Sequence, residues 1–484
     1  MRKIICLAIG LFLFNTPFTA AIELAPKETP SDLETVHVEN RPSYVPGEIL
    51  VKYRPSATTA AKNSITTLHG LTAKKEITGI GTLLFKLPQG QDVDAVVNRL
   101  KDDPSVEYAE PNYYAYPAAT PNDPAFSSQW GLNNVGQTIG SVAGVPGADI
   151  NAPEAWDLAV GNENIVIAII DTGVDILHPD IRPNLWINKG EMAGYASLSD
   201  WKSNGIDDDG NGYVDDIVGW DFNFNSNNPN DESQRFGGHG THVAGIAAAR
   251  GNNGAGVTGV SWVARIMALA VMDYRDGGLP VSNIAGALGY AERMGAHVIN
   301  LSLGLYQDTR TLRDAINAVN RAVIVCAAGN DGTDNDSRPH YPSSYPKSNL
   351  IAVAATDQSD QRASFSNFGH TSVDVAAPGV QIYSTYSRFV DSAGYKFLDG
   401  TSMASPMVAG LAALMRAGNG SLSPVQVVST IKGSVDKLPT LSGGISTGGR
   451  INALRALQAA GVSGGGDDSD GGSGCFIRTL QSVH

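Results

Sequence analysis

The sequence predicts an α/β protein of three layers, a mostly parallel sheet between helices, preceded by a small α+β unit. Three observations predict it. The 484 residues are 42% hydrophobic and 17% charged with 54 Gly and 25 Pro, enough for more than one packed core and many tight turns. From about residue 118 to 460, short apolar runs of buried type alternate with helical patterns, as in a parallel sheet covered on both faces. From 44 to 113 strand and helix patterns are shorter and mixed, which marks a separate unit.

The elements follow in order. Arg2 and Lys3 precede an apolar run from Ile4 to Phe14, and the small residues Thr19, Ala20 and Ala21 come next, so residues 1–21 read as a cleaved export signal. That run of 11 falls short of the roughly 20 residues a membrane span needs, so no permanent span is expected and the protein is expected outside the cytoplasm. Residues 22–117 form a leading segment. Its folded part, 44–113, is expected to hold strands at 48–53, 74–77, 82–87 and 106–109 and helices at 58–68 and 93–100. Residues 118–460 are expected to hold strands at 165–170, 298–303, 323–328, 350–355 and 373–376, with helices at 240–249, 283–294, 311–322 and 407–415. Residues 461–484 read as a flexible tail, Gly, Ser and Asp making up almost all of its first part.

Charge and cysteines narrow the partners. With 34 Lys and Arg against 48 Asp and Glu the formal charge is −14, which opposes nucleic acid and anionic membranes and leaves carboxylates free to hold cations. Of three cysteines, Cys6 would leave with the signal, and Cys326 in an apolar run and Cys475 in the tail are too differently placed to bridge. Stability outside the cell must then come from elsewhere, bound metal being one source.

Three motifs carry reactive groups to strand ends and helix starts, where such groups collect in open parallel sheets. They are Ile169-Ile170-Asp171-Thr172-Gly173, Gly238-His239-Gly240-Thr241-His242 and Gly400-Thr401-Ser402-Met403-Ala404. Each has a bland reading: a strand-end Asp, a core or capping His, an N-cap Ser. Together they supply a hydroxyl nucleophile, an imidazole to take its proton and a carboxylate to fix that imidazole. The chain order Asp, His, Ser separates the set from the His-first and Ser-first hydrolases.

That order, with Asn300-Leu301-Ser302-Leu303-Gly304, Ala327-Ala328-Gly329-Asn330, Tyr341-Pro342, Phe365-Ser366-Asn367-Phe368-Gly369 and Val375-Ala376-Ala377-Pro378-Gly379, resembles the subtilisin family of serine proteases in its thermitase-like branch. The resemblance implies a subtilisin-like fold and a broadly specific, secreted serine endopeptidase acting on polypeptides, as a monomer. It implies Ser402 as nucleophile, His239 as base and acid, Asp171 as orienting carboxylate and Asn330 as side-chain oxyanion donor. Ser302, Leu303, Gly304, Ala327, Ala328 and Gly329 resemble the segments that line the S1 pocket and pair with extended substrate. His340 falls where the pocket floor is often a small residue; its ring either shortens S1 or turns outward. Residues 44–113 resemble the family's inhibitory prosegment, a ferredoxin-like folding aid removed by self-cleavage between Tyr113 and Pro121.

The acidic loop Asp207-Asp208-Asp209-Gly210-Asn211-Gly212-Tyr213-Val214-Asp215-Asp216 repeats oxygen ligands at alternate positions with Gly at the sixth, as an EF-hand loop begins. Calcium is expected on Asp207, Asp209, Asn211 and Tyr213, closed by Asp216 or Asp215. By resemblance alone, Asp123, Asp180 and Asn253 would hold a second calcium with carbonyls of residues 250–257. Two other classes compete. A zinc hydrolase would use His239 and His242, but no His-Glu-x-x-His pattern or third ligand accompanies them. A calcium-dependent binding protein on an inactive protease fold is opposed by the intact triad positions.

Overall fold

The computed structural model describes residues 44–113, 119–192 and 203–463. The expected signal, most of the expected tail with Cys475, and residues 114–118 of the expected cut region lie outside the described residues.

The leading unit runs β1 (Tyr44–Tyr53), α1 (Thr59–Leu68), β2 (Thr72–Ile77), β3 (Thr82–Lys86), α2 (Val93–Lys101) and β4 (Val106–Tyr113). Its sheet order is β2-β3-β1-β4, with every pairing antiparallel. The helices start where side chains can cap them: Thr58 accepts from Ala61 N, and Asp92 accepts from Asp94 N and Ala95 N. Asp94 in the first turn of α2 and Arg99 and Lys101 in its last complement the helix dipole. Ile49, Val51, Ile65, Phe85, Val96 and Leu100 fill a core belonging to this unit alone. The edge strand β2 is blunted by Lys74, Lys75 and Glu76.

The larger unit begins with a small ribbon, β5 (Thr138–Ile139) and β6 (Val142–Ala143), and α3 (Ala152–Trp156). Then come β7 (Val166–Asp171), β8 (Gly219–Asp221), α4 (His239–Ala248), β9 (Arg265–Ala270), α5 (Val281–Arg293), β10 (Val298–Leu301) and α6 (Arg310–Ala318). The second half holds β11 (Val323–Ala327), β12 (Leu350–Thr356), β13 (Val375–Pro378), a hairpin of β14 (Ile382–Thr385) and β15 (Tyr395–Leu398), and α7 (Thr401–Gly418). It ends with α8 (Pro424–Gly433), β16 (Asp436–Lys437), β17 (Gly449–Arg450) and α9 (Ala453–Ala459).

The nine-stranded sheet has the order β16-β17-β13-β12-β11-β10-β7-β9-β8 and is parallel except at β16. Strands such as β7, β10, β11 and β12 are mostly apolar, and buried throughout, because helices cover both faces. Alternation along β7 divides the layers. Ile167 and Ile169 pack with α4 and α7, whereas Val166, Ala168 and Ile170 pack with α5 and α6.

The expected three-layer arrangement holds, with local differences. Strand β9 was not among the expected strands; its Arg-Ile-Met-Ala-Leu-Ala sequence fits a buried helix as well as a buried strand by pattern alone. Helix α7 starts ahead of the expected apolar stretch, so Ser402 lies inside its first turn. From β7 the chain moves to β8 and β9 on one side and later to β10 on the other, which makes the carboxyl end of β7 a topological switch point. Asp171 is its last residue. Among the described residues, no helix is long and apolar enough to cross a membrane.

Candidate active site

Asp171 is 1% exposed and its Oδ1 meets His239 Nδ1 at 2.7 Å. The same oxygen accepts from Thr172 N at 2.7 Å. His239 opens α4, and that helix approaches β7 closely because residue 240 is Gly: a Cβ there would lie 2.1 Å from Gly173 O and 3.0 Å from Asp171 Cβ. Burial alone would lower the affinity of His239 for a proton. The charge of Asp171 and its hydrogen bond outweigh that and raise the imidazole pKa above its ordinary 6.5. With Nδ1 bound to the carboxylate, Nε2 is the nitrogen free to work on a substrate.

Ser402 lies in the first turn of α7 and Asn330 in the loop after β11; among the described residues His239 bonds Asp171 and not Ser402. Ser402 Oγ donates to Ser302 O at 3.2 Å, and Ser302 Oγ donates to Ser402 O at 2.8 Å. The serine hydroxyl is thus turned to the β10 loop, one staggered rotation from other directions. Helix α7 packs on α4, so the first turns that carry Ser402 and His239 belong to touching helices. Asn330 is anchored through its oxygen by Thr401, which leaves its Nδ2 donors directed elsewhere.

Ser302, Leu303 and Gly304 follow β10; Ala327 ends β11, with Ala328 and Gly329 after it. The two segments continue adjacent, paired strands of the sheet. His340 does not turn outward: it is 6% exposed and its ring lies against Gly304 and Gly329. Asn367, unexposed, braces the second segment by donating from Nδ2 to Ala328 O at 3.1 Å and accepting through Oδ1 from Asp331 N at 3.0 Å.

In the acidic loop, carboxylate oxygens of Asp209, Asp216 and Glu191 lie within 4.8 Å of one another. Asn211 Nδ2 donates to Asp209 at 3.1 Å and to Asp216 at 3.0 Å. Glu191 and Asp216 are 1% and 0% exposed, and burial raises both carboxyl pKa values. Asp207 instead holds the turn, accepting from Asn211 N and Gly212 N at 3.0 and 2.8 Å. Asp215 faces Ser203 and Gly205, so Asp216 is the acid turned to the cluster. The Tyr213 ring packs edge-on against Trp220 and Tyr290. An all-oxygen, mostly buried acidic donor set suits a hard divalent cation such as calcium.

Asp123, Asp180 and Asn253 also come together around the 250–257 loop. Asp123 Oδ2 accepts from Asn252 N at 2.7 Å, while its buried Oδ1 has no hydrogen-bond partner among the described residues. Asp180 accepts from Asn253 Nδ2 at 3.0 Å and from Val257 N at 2.9 Å. A buried carboxylate oxygen left bare fits a cation better than an apolar site.

Sequence reasoning missed Glu191 and Asp231, because nothing in their own neighbourhoods marks a site and only folding brings them to it; Asn367 stood in a quoted motif, but without a role. His242, which the zinc alternative needs, is unexposed and contacts Ile382 O and Lys396 O through Nε2; burial lowers its pKa to about 3.

Comparison with known proteins agrees with this geometry. Residues 162–455 match the model of the subtilase family, and residues 30–112 match that of the fervidolysin N-terminal prodomain. The thermophilic serine proteinase of Bacillus sp. (strain AK1) is 38% identical over 94% of this chain and 99% of its own length. Thermitase of Thermoactinomyces vulgaris is 40% identical over 70% of this chain and 99% of its own. A protease of Pseudoalteromonas arctica superposes with a TM-score of 0.55 at 28% identity, over 71% of this chain and all of that one.

Proposed function

The chain belongs to the subtilase family and is a serine-type endopeptidase with a prodomain, and from that premise we propose that Asp171, His239 and Ser402 carry the hydrolysis. The observation that carries the assignment is the 2.7 Å contact between His239 and Asp171 at the switch point, with His239 on a helix packed against the one whose first turn holds Ser402.

In this reading Ser402 Oγ attacks the scissile carbonyl carbon while His239 Nε2 takes its proton. Asp171 keeps the ring in the tautomer that leaves Nε2 bare and stabilises the imidazolium that forms. Negative charge collects on the former carbonyl oxygen, where Asn330 Nδ2 and the Ser402 backbone N–H donate to it. His239 then protonates the leaving amine, the C–N bond breaks, and an ester joins the acyl group to Ser402. Water, deprotonated by His239, attacks that ester; Ser402 regains the proton and the free acid leaves.

Segments 302–304 and 327–329 would pair with the backbone of an extended chain, a mode that favours unfolded polypeptide and gives broad specificity away from the scissile bond. Calcium would be held by Glu191, Asp209, Asn211 and Asp216, and by Asp123, Asp180 and Asn253; its chemistry there is structural, binding the folded state in preference to the unfolded. The protein would be exported, and residues 44–113 would act as folding aid and internal inhibitor until cut away between Tyr113 and Pro121.

The test compares the secreted chain with Ser402→Ala by intact mass during incubation with unfolded casein in calcium. Prodomain release and casein cleavage by the wild type alone are expected. Equal cleavage by Ser402→Ala would remove Ser402 from the nucleophile role.

A further inference from the structure

The imidazole of His340 stands between the two backbone segments that flank Ser402. A Cβ built on Gly304 would lie 2.1 Å from its Cε1 and 2.4 Å from its Nε2, and one built on Gly329 would lie 3.2 Å from its Cδ2. Gly329 adjoins Asn330, and Ser302, two residues before Gly304, is bonded to Ser402. The ring is thus close on both sides to the groups that would grip the attacked carbonyl. The side chain of the substrate residue that owns this carbonyl, the P1 residue, leaves the backbone one atom away from it and would meet the ring in the slot between those segments.

The ring is braced in that slot. Ser343 Oγ donates its only proton to His340 O at 2.8 Å, so its 3.1 Å contact with His340 Nδ1 is a bond donated by the ring. Tyr306 meets the imidazole edge-on with centroids 5.3 Å apart. Tyr306 is itself fixed by Asp331 and Asn367, which bond its hydroxyl, and by the Arg338 guanidinium 3.8 Å over its ring. Burial lowers the His340 pKa to about 4, against a smaller opposing pull from Asp331, so the ring is neutral at neutral pH. To admit a large P1 side chain the protein would have to break the Ser343 bond and displace Tyr306 with it.

We propose that His340 closes the P1 pocket, so that this enzyme selects polypeptide bonds following Gly, Ala or Ser over bonds following Phe, Tyr or Leu. The proposal rests on the assignment of Ser402 and Asn330 above. Breadth at the other substrate positions is unaffected, because there the backbone does the binding.

The test uses peptide p-nitroanilides that differ only at P1, with the kcat/KM ratio of Phe to Ala taken within each enzyme so that active fraction cancels. The wild type is expected to favour Ala by about 10- to 200-fold, the range over which pockets discriminate by size. His340→Gly and His340→Ala should raise the Phe to Ala ratio by about the same factor. Ser343→Ala, which frees one end of the ring without removing it, should raise it less. A wild type that prefers Phe, or a ratio unmoved in both His340 variants, overturns the proposal. Labelling of Ser402 by an organofluorophosphate is read in parallel: a chain that is neither labelled nor active on any peptide overturns the underlying assignment, and the pocket inference with it.

Discussion

Asn330 Oδ1 accepts two hydrogen bonds from Thr401, one from its backbone N–H at 2.8 Å and one from its hydroxyl at 2.9 Å. The hydroxyl in turn accepts from Gly329 N at 3.1 Å. One threonine therefore fixes which end of the Asn330 amide is oxygen and which is donor, immediately before the proposed nucleophile.

From this, Asn330→Ala should lower kcat by about 10²- to 10³-fold with little change in KM, since the lost bond forms only as charge develops. Thr401→Val should lower kcat by less. Because it acts through the same amide, the double variant should lose little beyond Asn330→Ala alone. Steady-state kinetics on one peptide decide it: fully additive losses would mean that Thr401 acts by another route.

The pH profile follows from the sign of the His239 shift. Burial lowers its proton affinity, Asp171 more than restores it, and the net pKa lies above 6.5. A base works only when unprotonated, so kcat/KM should rise with pH through a midpoint above 6.5. In Asp171→Asn the raising charge is gone, so the midpoint should fall and turnover should drop by about 10⁴-fold. A midpoint that stays put in Asp171→Asn would remove Asp171 from the role.

What was legible in the sequence was what neighbouring residues carry together. The strand of β7 ending in Asp171, the small-residue helix behind His239 and the alternating acids after Asp207 each announce themselves locally. Strand β9 did not, because alanine-rich apolar runs suit either periodicity. Glu191 lies well upstream of the acidic loop and reaches Asp209 N and Asp215 N only because the chain folds back; Gly190 allows it, since a Cβ there would lie 2.4 Å from Asp209 Cβ. For His340 the position was legible and the orientation was not: Ser343 and Tyr306 decide which way the ring faces.

Calcium removal should lower stability, with a proton signature. Burial raises the carboxyl pKa values of Glu191 and Asp216, and the neighbouring acids raise them further, so the cation-free cluster takes up protons at a higher pH than ordinary carboxylates do, and a divalent cation competes with those protons. Calcium binding should therefore weaken as pH falls, from a higher pH than ordinary carboxylates would give. A site at a hundredfold excess over its Kd contributes about 2.7 kcal/mol. Glu191→Gln and Asp216→Asn should lower Tm in calcium by more than they lower it in chelator, where the cost of setting an amide against the donors each acid accepts from is offset in part by removal of a buried like charge. Scanning calorimetry in calcium and in chelator reads both quantities. A loss of Tm in chelator equal to that in calcium would show that these acids only pack the loop.

Asp231 offers the last prediction. It is unexposed, accepts from Thr172 Oγ1 at 3.0 Å and from Thr241 N and Oγ1 at 3.2 and 2.8 Å, and so clamps the end of β7 to the first turn of α4. Thr172 Oγ1 also accepts from Gly240 N at 2.9 Å. These are the two elements that carry Asp171 and His239. Complete burial raises the Asp231 pKa from 3.8 to about 6, against the bonds that favour its charge. A carboxyl with a raised folded pKa contributes stability that is full below its unfolded value and lost as pH rises through the folded one. Between about pH 4 and 6 the wild type should therefore lose stability relative to Asp231→Asn, which has no proton to lose there. The variant should be weaker by about 1–3 kcal/mol near pH 4, since its amide N–H groups face donors, and the gap should narrow toward pH 7. Denaturant unfolding in a Ser402→Ala background, which prevents self-digestion, gives both curves. Parallel curves from pH 4 to 7 would mean that Asp231 is already ionised throughout, and a kcat unchanged by Asp231→Asn would mean that the clamp does not position the Asp171 and His239 pair.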